Sequence, residues 1–270
     1  MADLVVVGVD GSASSLTAVE AAAASAVRRG AVLRVVHADV PVKPRLVVPD
    51  PASGALVHEA AAHARYVAPE VIVTEAVVTG DPVHVLEAES QAAALIVVGS
   101  RGKGNIAGLL LGSTPVPLAA HSRCPVMTVR EEHRPSDRAG PVVLGFDGSP
   151  DSDEAVGLAF AEAAQRRAQL VVVHARQPDK DSPGTAPESA EQSPAAAIAG
   201  RAGACPDVTV RHDLVSGTAR EVLLEASRTA QLLVVGARGL GAITGLLQGS
   251  VSQALMARAH CPVVTVRRTT

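Results

Sequence analysis

The chain has no tryptophan, and its aromatic side chains are confined to Tyr66, Phe146 and Phe160. Proteins hold single-stranded nucleic acid by stacking bases on aromatic faces, so this scarcity excludes that class of partner. An excess of one charge is also missing: 24 Lys and Arg stand against 27 Asp and Glu, a net charge of −3. Without a basic excess there is no electrostatic footprint for duplex binding. Only three cysteines occur, Cys124, Cys205 and Cys261. Their odd number and the lack of CxxC spacing argue against a disulfide scaffold and a zinc site. No run approaches the roughly 18 apolar residues that cross a bilayer. The opening MADLVVVGVDGS has no basic n-region and no cleavage site, and enters a strand-like pattern at once. The expectation is a reduced, cytoplasmic protein with neither membrane nor nucleic acid as partner.

What is present is material for two cores. Hydrophobic residues make up 47% of the 270, which suits two domains of moderate size. One constant shift of 137 positions lays the second half over the first: Gly8 on Gly145, Asp10 on Asp147, His37 on His174, Gly99 on Gly236, Gly112 on Gly249 and Cys124 on Cys261. Solenoid repeats have periods of about 20–50 residues, so a period this long is a duplicated domain. The polar stretch EEHRPSDRAG, with Pro and Gly but no periodicity, reads as the joint. The expected organisation is a first domain over 1–132, a linker over 133–140 and a second domain over 141–270.

Within each copy, short β-branched runs (LVVVGV, VLRVVHA, VIVTEAVV, LIVVG and PVMTV in the first) alternate with Ala-rich helical segments. Continuous apolar runs indicate strands covered on both faces, hence a parallel sheet between helices. The order βαβαβαβαβ predicts an α/β, doubly wound, Rossmann-like domain with five parallel strands, made twice. SASSLTAVEAAAASAVRRG starts with hydroxyl residues able to cap a helix, and Gly30 follows its end. The Pro-rich stretches PVKPRLVVPDPASG and RQPDKDSPGTAPESAEQSP are expected to be surface loops.

The chemistry concentrates at two glycine-rich segments, GSRGKGNIAGLLLGS at 99–113 and GARGLGAITGLLQGS at 236–250. Each follows the fourth strand of its copy, at the strand's carboxyl end, where open parallel sheets bind ligands. Glycine admits positive φ and lets a ligand approach the chain closely. Gly112-Ser113 and Gly249-Ser250 are expected to open a helix, offering N–H groups and a hydroxyl to an anion. The competing reading is that the glycines only turn the chain; identical spacing in both copies favours phosphate. Asp10 in GVDGS and Asp147 in GFDGS end the first strands at the same edge. A carboxylate there can accept ribose hydroxyls, or can simply cap a turn.

On these residues each copy resembles a universal stress protein domain of the ATP-binding type, a family of adenine nucleotide alpha-hydrolase-like fold. The family motif G-x2-G-x9-G-[S/T] is matched by Gly99, Gly102, Gly112 and Ser113, and again by Gly236, Gly239, Gly249 and Ser250. The early Asp, the His-Ala pairs at 37–38 and 174–175, and the CPV before each last strand also match. The resemblance implies ribose at Asp10 and Asp147, and adenine near Val9, Ala38, Phe146 and Ala175. It implies phosphates at the glycine loops, with Ser113, Thr114, Ser250, Val251 and Ser252 behind them and Arg101 and Arg238 nearby. The implied ligand is ATP, with Mg2+ as its companion ion.

Other nucleotide signatures fail. No GxxxxGK[ST] exists, so there is no P-loop. The stretch from Gly102 to Ala107 satisfies a relaxed GxGxxA, but Thr244 breaks it in the second copy and the loop is too long for a Rossmann turn. His58-Glu59 with His63 imitates a zincin, yet a five-residue step separates two helical side chains by about 140°. Cys124 and Cys261 precede Pro at strand entrances and read as buried small hydrophobes. Neither glycine loop carries a carboxylate or His to position water, so no enzyme, or at most very slow ATP hydrolysis, is expected. A nucleotide-responsive stress regulator is the leading reading. Its rivals are a slow ATPase or phosphoryl-transfer enzyme, and a scaffold with a structural nucleotide.

The copies also differ. Val251-Ser252 follows Gly249-Ser250, whereas Thr114-Pro115 follows Gly112-Ser113. In ATP-binding relatives the second of these positions is often a hydroxyl residue that reaches the terminal phosphates. Pro115 has neither hydroxyl nor N–H, so the second copy is expected to bind ATP more tightly and the first to discriminate less between ATP and ADP. The closing strands 125–130 and 262–267 stand at a sheet edge in this topology, and an open edge invites pairing. Members of the family pair this strand across a two-fold axis, so an intrachain pseudo-dimer is expected, and chains are expected to form homodimers as well. Hydrogen exchange checks the pairing: backbone amides of 126–129 and 263–266 should be as protected as those of central strands, and rapid exchange in either segment would refute it.

Overall fold

The computed structural model describes residues 3–40, 51–103, 110–133, 139–176, 198, 200–201, 203, 205–239 and 249–268. The chain divides into two compact units, Met1–Asp137 and Arg138–Thr270. In the first, the strands are β1 (Leu4–Gly8), β2 (Val32–Asp39), β3 (Val73–Thr79), β4 (Leu95–Gly99) and β5 (Val126–Val129), and the helices are α1 (Ala13–Arg29), α2 (Pro51–Val67), α3 (Pro82–Glu89) and α4 (Pro115–His121). The second has β6 (Val142–Gly145), β7 (Leu170–Arg176), β8 (Val210–Ser216), β9 (Leu232–Gly236) and β10 (Val263–Val266), with described helices α5 (Pro150–Arg166), α6 (Ala219–Ala226) and α7 (Ser250–Arg258).

The sheet of the first unit runs β3-β2-β1-β4-β5 with every pairing parallel. That of the second runs β8-β7-β6-β9-β10, likewise parallel. Each unit is therefore the doubly wound α/β domain the apolar runs predict. The chain winds outward from its first strand through the second and third, then returns to that strand's other side for the fourth and fifth. The reversal leaves a crevice between the carboxyl ends of the first and fourth strands.

Continuous burial identifies the central strands. Val5, Val6 and Val7 of β1 are 0% exposed, as are Leu95, Ile96 and Val97 of β4, which requires cover on both faces. With so few aromatic residues the cover is made of small side chains: Ala18, Ala22, Ala23 and Ala26 of α1 are fully buried. The outermost strand β3 exposes Thr74, Glu75 and Thr79, as its edge position allows. It begins at Val73, so Val71 and Ile72 of the predicted run stand ahead of it.

The local signals work as their chemistry dictates. Ser12 and Ser149 cap α1 and α5, their hydroxyls accepting the N–H of Ser15 at 3.2 Å and of Ser152 at 3.3 Å. Asp81 caps α3 through Val83 N–H at 2.9 Å, and Thr218 caps α6 through Glu221 N–H at 3.3 Å. The first Pro-rich stretch is corrected in part. Residues 51–54 form the first turn of α2, where Pro51 loses nothing because a first-turn N–H has no intrahelical partner; positions 41–50 lie outside the described residues. Of the second stretch, Arg176 ends β7 and 177–194 lie outside the described residues.

One cap differs between the copies. Gly30 closes α1 in the left-handed region at φ 61°, and its counterpart Arg167 closes α5 there at φ 50°. A Cβ in that region crowds the following carbonyl, which costs roughly 1–2 kcal/mol. Space is no obstacle at Gly30, where an added Cβ meets nothing within 4 Å. Gly30→Ala should therefore lower stability by about 1 kcal/mol. Arg167→Gly should raise it by less, because glycine also loosens the unfolded chain. Urea melts that moved in the same direction for both variants would contradict the backbone argument.

Candidate functional site

Each unit has a cavity at the crevice. The first, about 210 Å³, gathers Val9, Asp10, Ala38, Gly99, Arg101, Gly102, Gly112, Ser113 and Thr114. The second, about 370 Å³, gathers Phe146, Asp147, Ala175, Gly236, Arg238, Gly239, Gly249, Ser250, Val251 and Ser252. Every site residue singled out in the sequence lines one of these two cavities. The sequence missed the third wall. Pro82 and Leu86 of α3 close the first cavity, and Ala219 and Leu223 of α6 close the second. A signal was there: both pairs obey the 137-position shift and follow a Gly and a capping residue, Gly80-Asp81 and Gly217-Thr218.

Asp10 joins two distant pieces of chain. Its Oδ1 accepts the Ser12 N–H at 3.0 Å and the Ser12 hydroxyl at 2.7 Å, and its Oδ2 accepts the Lys103 N–H at 2.8 Å. The carboxylate is thus both a turn cap and a clamp on the glycine loop, while still lining the cavity. In the second unit, Asp147 Oδ1 accepts the Ser149 N–H at 3.0 Å. These contacts explain two glycines of each motif. A Cβ on Gly102 would stand 2.5 Å from Asp10 Oδ2, and one on Gly239 would run into Asp147 Oδ2. A Cβ on Gly99 would stand 2.9 Å from the Ser14 backbone, and one on Gly236 2.9 Å from Ser152 N. The loop's far end is pinned too: Gly112 N–H reaches the Ser100 carbonyl at 2.7 Å, and Gly249 N–H the Ala237 carbonyl at 3.0 Å.

The two arginines are held differently. Arg101 Nη2 lies 3.8 Å from Glu132 and 4.0 Å from Glu131, both carboxylates being more than half exposed. Its carbonyl accepts the hydroxyls of Ser12, at 3.2 Å, and Ser14. In the second unit Asp151 stands where Ser14 does, 3% exposed, and takes Arg238 N–H at 3.1 Å, Arg238 Nε at 3.3 Å and Arg268 N–H at 3.1 Å.

Two expectations about the phosphate end need correction. Gly249-Ser250 does open a helix, with Gly249 as N-cap of α7. Gly112-Ser113 does not: α4 begins at Pro115 with Thr114 as its N-cap. Thr114 already lies in the right-handed region at φ −87° and ψ −44°, and Pro115 takes the first helical position, where its missing N–H costs the helix nothing. Ser252, expected to send its hydroxyl to the terminal phosphates, is 3% exposed and donates it to the carbonyls of Ala237 and Gly249, each at 2.9 Å. A buried hydroxyl beside loop carbonyls satisfies them first, so only its backbone N–H remains for a ligand.

The zincin-like residues part company. His58 Nδ1 lies 3.4 Å from Glu75, and His63 Nε2 lies 2.9 Å from Glu20. Among the described residues, no group of three or more His, Cys, Asp or Glu is placed to hold a metal, and no helix is long and apolar enough to cross a membrane. Cys261 is fully buried, and burial, opposed in part by the Ser122 hydroxyl, pushes the Cys124 thiol up to about 11.

The universal stress protein family model matches residues 1–130 and again 139–267. This chain belongs to the universal stress protein family. A universal stress protein of Mycobacterium tuberculosis is 36% identical, covering 97% of this chain and 94% of the relative. A second from that organism is 35% identical, covering 98% and 97%. The crystal structure of a universal stress protein from Archaeoglobus fulgidus superimposes with a TM-score of 0.72 at 20% identity, over 98% of this chain and 96% of that one. It shares the fold of this universal stress protein. A universal stress protein solved in complex with cAMP matches 48% of the chain at 36% identity, with 98% of its own length covered and a TM-score of 0.40.

The Asp10 contacts carry a pH dependence. Burial pushes its carboxyl up, but the Ser12 hydroxyl and N–H, the Lys103 N–H and the Ser15 hydroxyl favour the charged form, and the net shift is downward. A folded value below the unfolded one means that ionised Asp10 stabilises the fold above the ordinary carboxylate range, and that this is lost as pH falls through the depressed value. Asp10→Asn should therefore be less stable than the parent at pH 7, with the gap closing below about pH 4. Urea melts showing the same gap at pH 7 and pH 3 would contradict this.

Proposed function

We propose that this universal stress protein binds an adenine nucleotide in each unit, ATP in at least one of them, and acts as a nucleotide-responsive regulator. The observation that carries this reading is the gathering of one residue set, twice, around a cavity at the sheet's reversal point. The donor set suits the ligand. In the first cavity Asp10 Oδ2 carries one hydrogen bond, from Lys103 N–H, and retains an acceptor position for a ribose hydroxyl. Val9, Val36, Ala38 and Leu86 offer an apolar slot for a flat base, and Ser113 offers polar groups to phosphate. In the second, Phe146 and Leu223 supply the apolar slot and the start of α7 supplies N–H groups. Mg2+, when present, would be carried by the phosphates, since Mg2+ is commonly held through substrate phosphates and few protein carboxylates.

Turnover is not what the side chains are arranged for. Hydrolysis needs a group that positions water at the terminal phosphate. Asp10 is engaged by Ser12 and Lys103, His37 Nδ1 sits 2.7 Å from the Val9 carbonyl, and Asp151 holds Arg238 and the Arg268 N–H. The rivals separate by experiment: single-turnover assays reveal a slow ATPase, and partners that do not respond to ATP indicate a scaffold.

With no tryptophan and one tyrosine the protein barely absorbs at 280 nm, so bound nucleotide should dominate its ultraviolet spectrum and chromatograph as adenine nucleotide after heat release. Asp10→Ala and Asp147→Ala should each weaken binding in their own unit by roughly 10- to 100-fold, the loss of a hydrogen bond to a charged acceptor. The sequence expects these changes to leave the fold intact. The contacts of Asp10 add a loosened glycine loop to the effect. Calorimetry of the double variant with unchanged affinity and stoichiometry would refute the ribose role.

A further inference from the structure

The two cavities share a motif and differ at its phosphate end. α7 starts at Ser250, and its first intrahelical N–H is that of Gln253, which reaches the Gly249 carbonyl at 3.2 Å. The N–H groups of Ser250, Val251 and Ser252 precede it in a first helical turn, where they have no intrahelical acceptor, and all three residues line the cavity. The first unit interrupts this row. Pro115 and Pro117 occupy the first and third positions of α4 and have no N–H. The later helix start also leaves Ser113 and Thr114, the counterparts of Ser250 and Val251, outside the helix. The space differs in the same sense. About 370 Å³ falls within the roughly 300–1,000 Å³ of ligand pockets, and about 210 Å³ falls below it.

The cations differ in the opposite sense. Buried Asp151 takes both the N–H and the Nε of Arg238, so that arginine already faces a carboxylate. Its counterpart Ser14 has no charge, and among the described residues Arg101 pairs with solvated Glu131 and Glu132 at 3.8–4.0 Å. Exposed pairs of this kind contribute little. A phosphate dianion inside the cavity, accepting charge-assisted hydrogen bonds, outcompetes them.

We propose that the cavities read different phosphate chains: the second takes a nucleoside triphosphate along the start of α7, and the first takes a nucleoside monophosphate whose single phosphate is met by Arg101. This rests on the adenine nucleotide reading above. A row of backbone donors suits a chain of phosphates that each bear about one charge. A single guanidinium suits the compact dianion that ends a monophosphate.

The test uses the full chain with one cavity closed. Gly239→Val closes the second, where its side chain meets Asp147, and Gly102→Val closes the first, where a Cβ stands 2.5 Å from Asp10 Oδ2. Titration with AMP and ATP should show the Gly239→Val chain preferring AMP by about tenfold and the Gly102→Val chain preferring ATP by about tenfold, the size of one charge-assisted contact. In the Gly239→Val chain, Pro115→Ser with Pro117→Ala should shift the preference toward ATP over AMP about tenfold, and Arg101→Ala should weaken AMP binding about tenfold. If a valine variant does not fold, Asp147→Ala or Asp10→Ala disables the same cavity and the same AMP-to-ATP ratio is read. The same order of preference in both cavities overturns the proposal and leaves the nucleotide reading standing. Binding of neither nucleotide in either cavity overturns both.

Discussion

The position of the first strand between the second and the fourth is the constraint on which each unit depends. A parallel strand cannot follow its neighbour through a tight turn, so every connection crosses over and all strand ends of one kind collect on one edge. When the chain reverses its direction of winding, the crossovers on either side of the first strand leave on opposite faces, and nothing fills the gap between them. Asp10 and the glycine loop stand at that gap because they terminate β1 and β4. Asp10 then ties the end of β1 to the start of the glycine loop through the Lys103 N–H.

Duplication reproduced this framework while leaving individual positions free to change chemistry. At one such position Ser14 donates its hydroxyl to the Arg101 carbonyl, and Asp151 accepts the Arg238 N–H. Both hold the same loop to the same helix. Only the second puts a buried negative charge beside the phosphate end, and a buried carboxylate is tolerable there because three donors meet it. At another position Ser252 binds two loop carbonyls through its hydroxyl, a tie that Pro115 cannot make. The two sites inherit one geometry and differ in the charge and donors that meet a ligand.

On the proposed reading, a site of this kind would answer to nucleotide supply. Its walls are strand ends, helix starts and the two ends of the glycine loop. The groups that usually activate water are already engaged in holding the loop and the turn. On that reading, binding without rapid turnover would let occupancy follow concentration, as a regulator needs.

Much of this was legible in the residues. Continuous apolar runs imply strands covered on both faces, and the 137-position shift implies that whatever one half folds into, the other does too. Glycine loops and acids at strand ends have little choice but to meet, because a parallel sheet puts all those ends on one edge; hence the sequence placed both candidate site sets. It could not place α3 and α6 over the cavities, since an apolar helical position looks the same whichever face of the sheet it covers. Nor could it show that Ser252 spends its hydroxyl on loop carbonyls, or that Asp151 pairs with Arg238, because a side chain's partner is chosen by neighbours that only folding brings near. Periodicity and spacing determined the fold and where the candidate sites lie on it. Tertiary packing decided which polar groups remain there for a ligand.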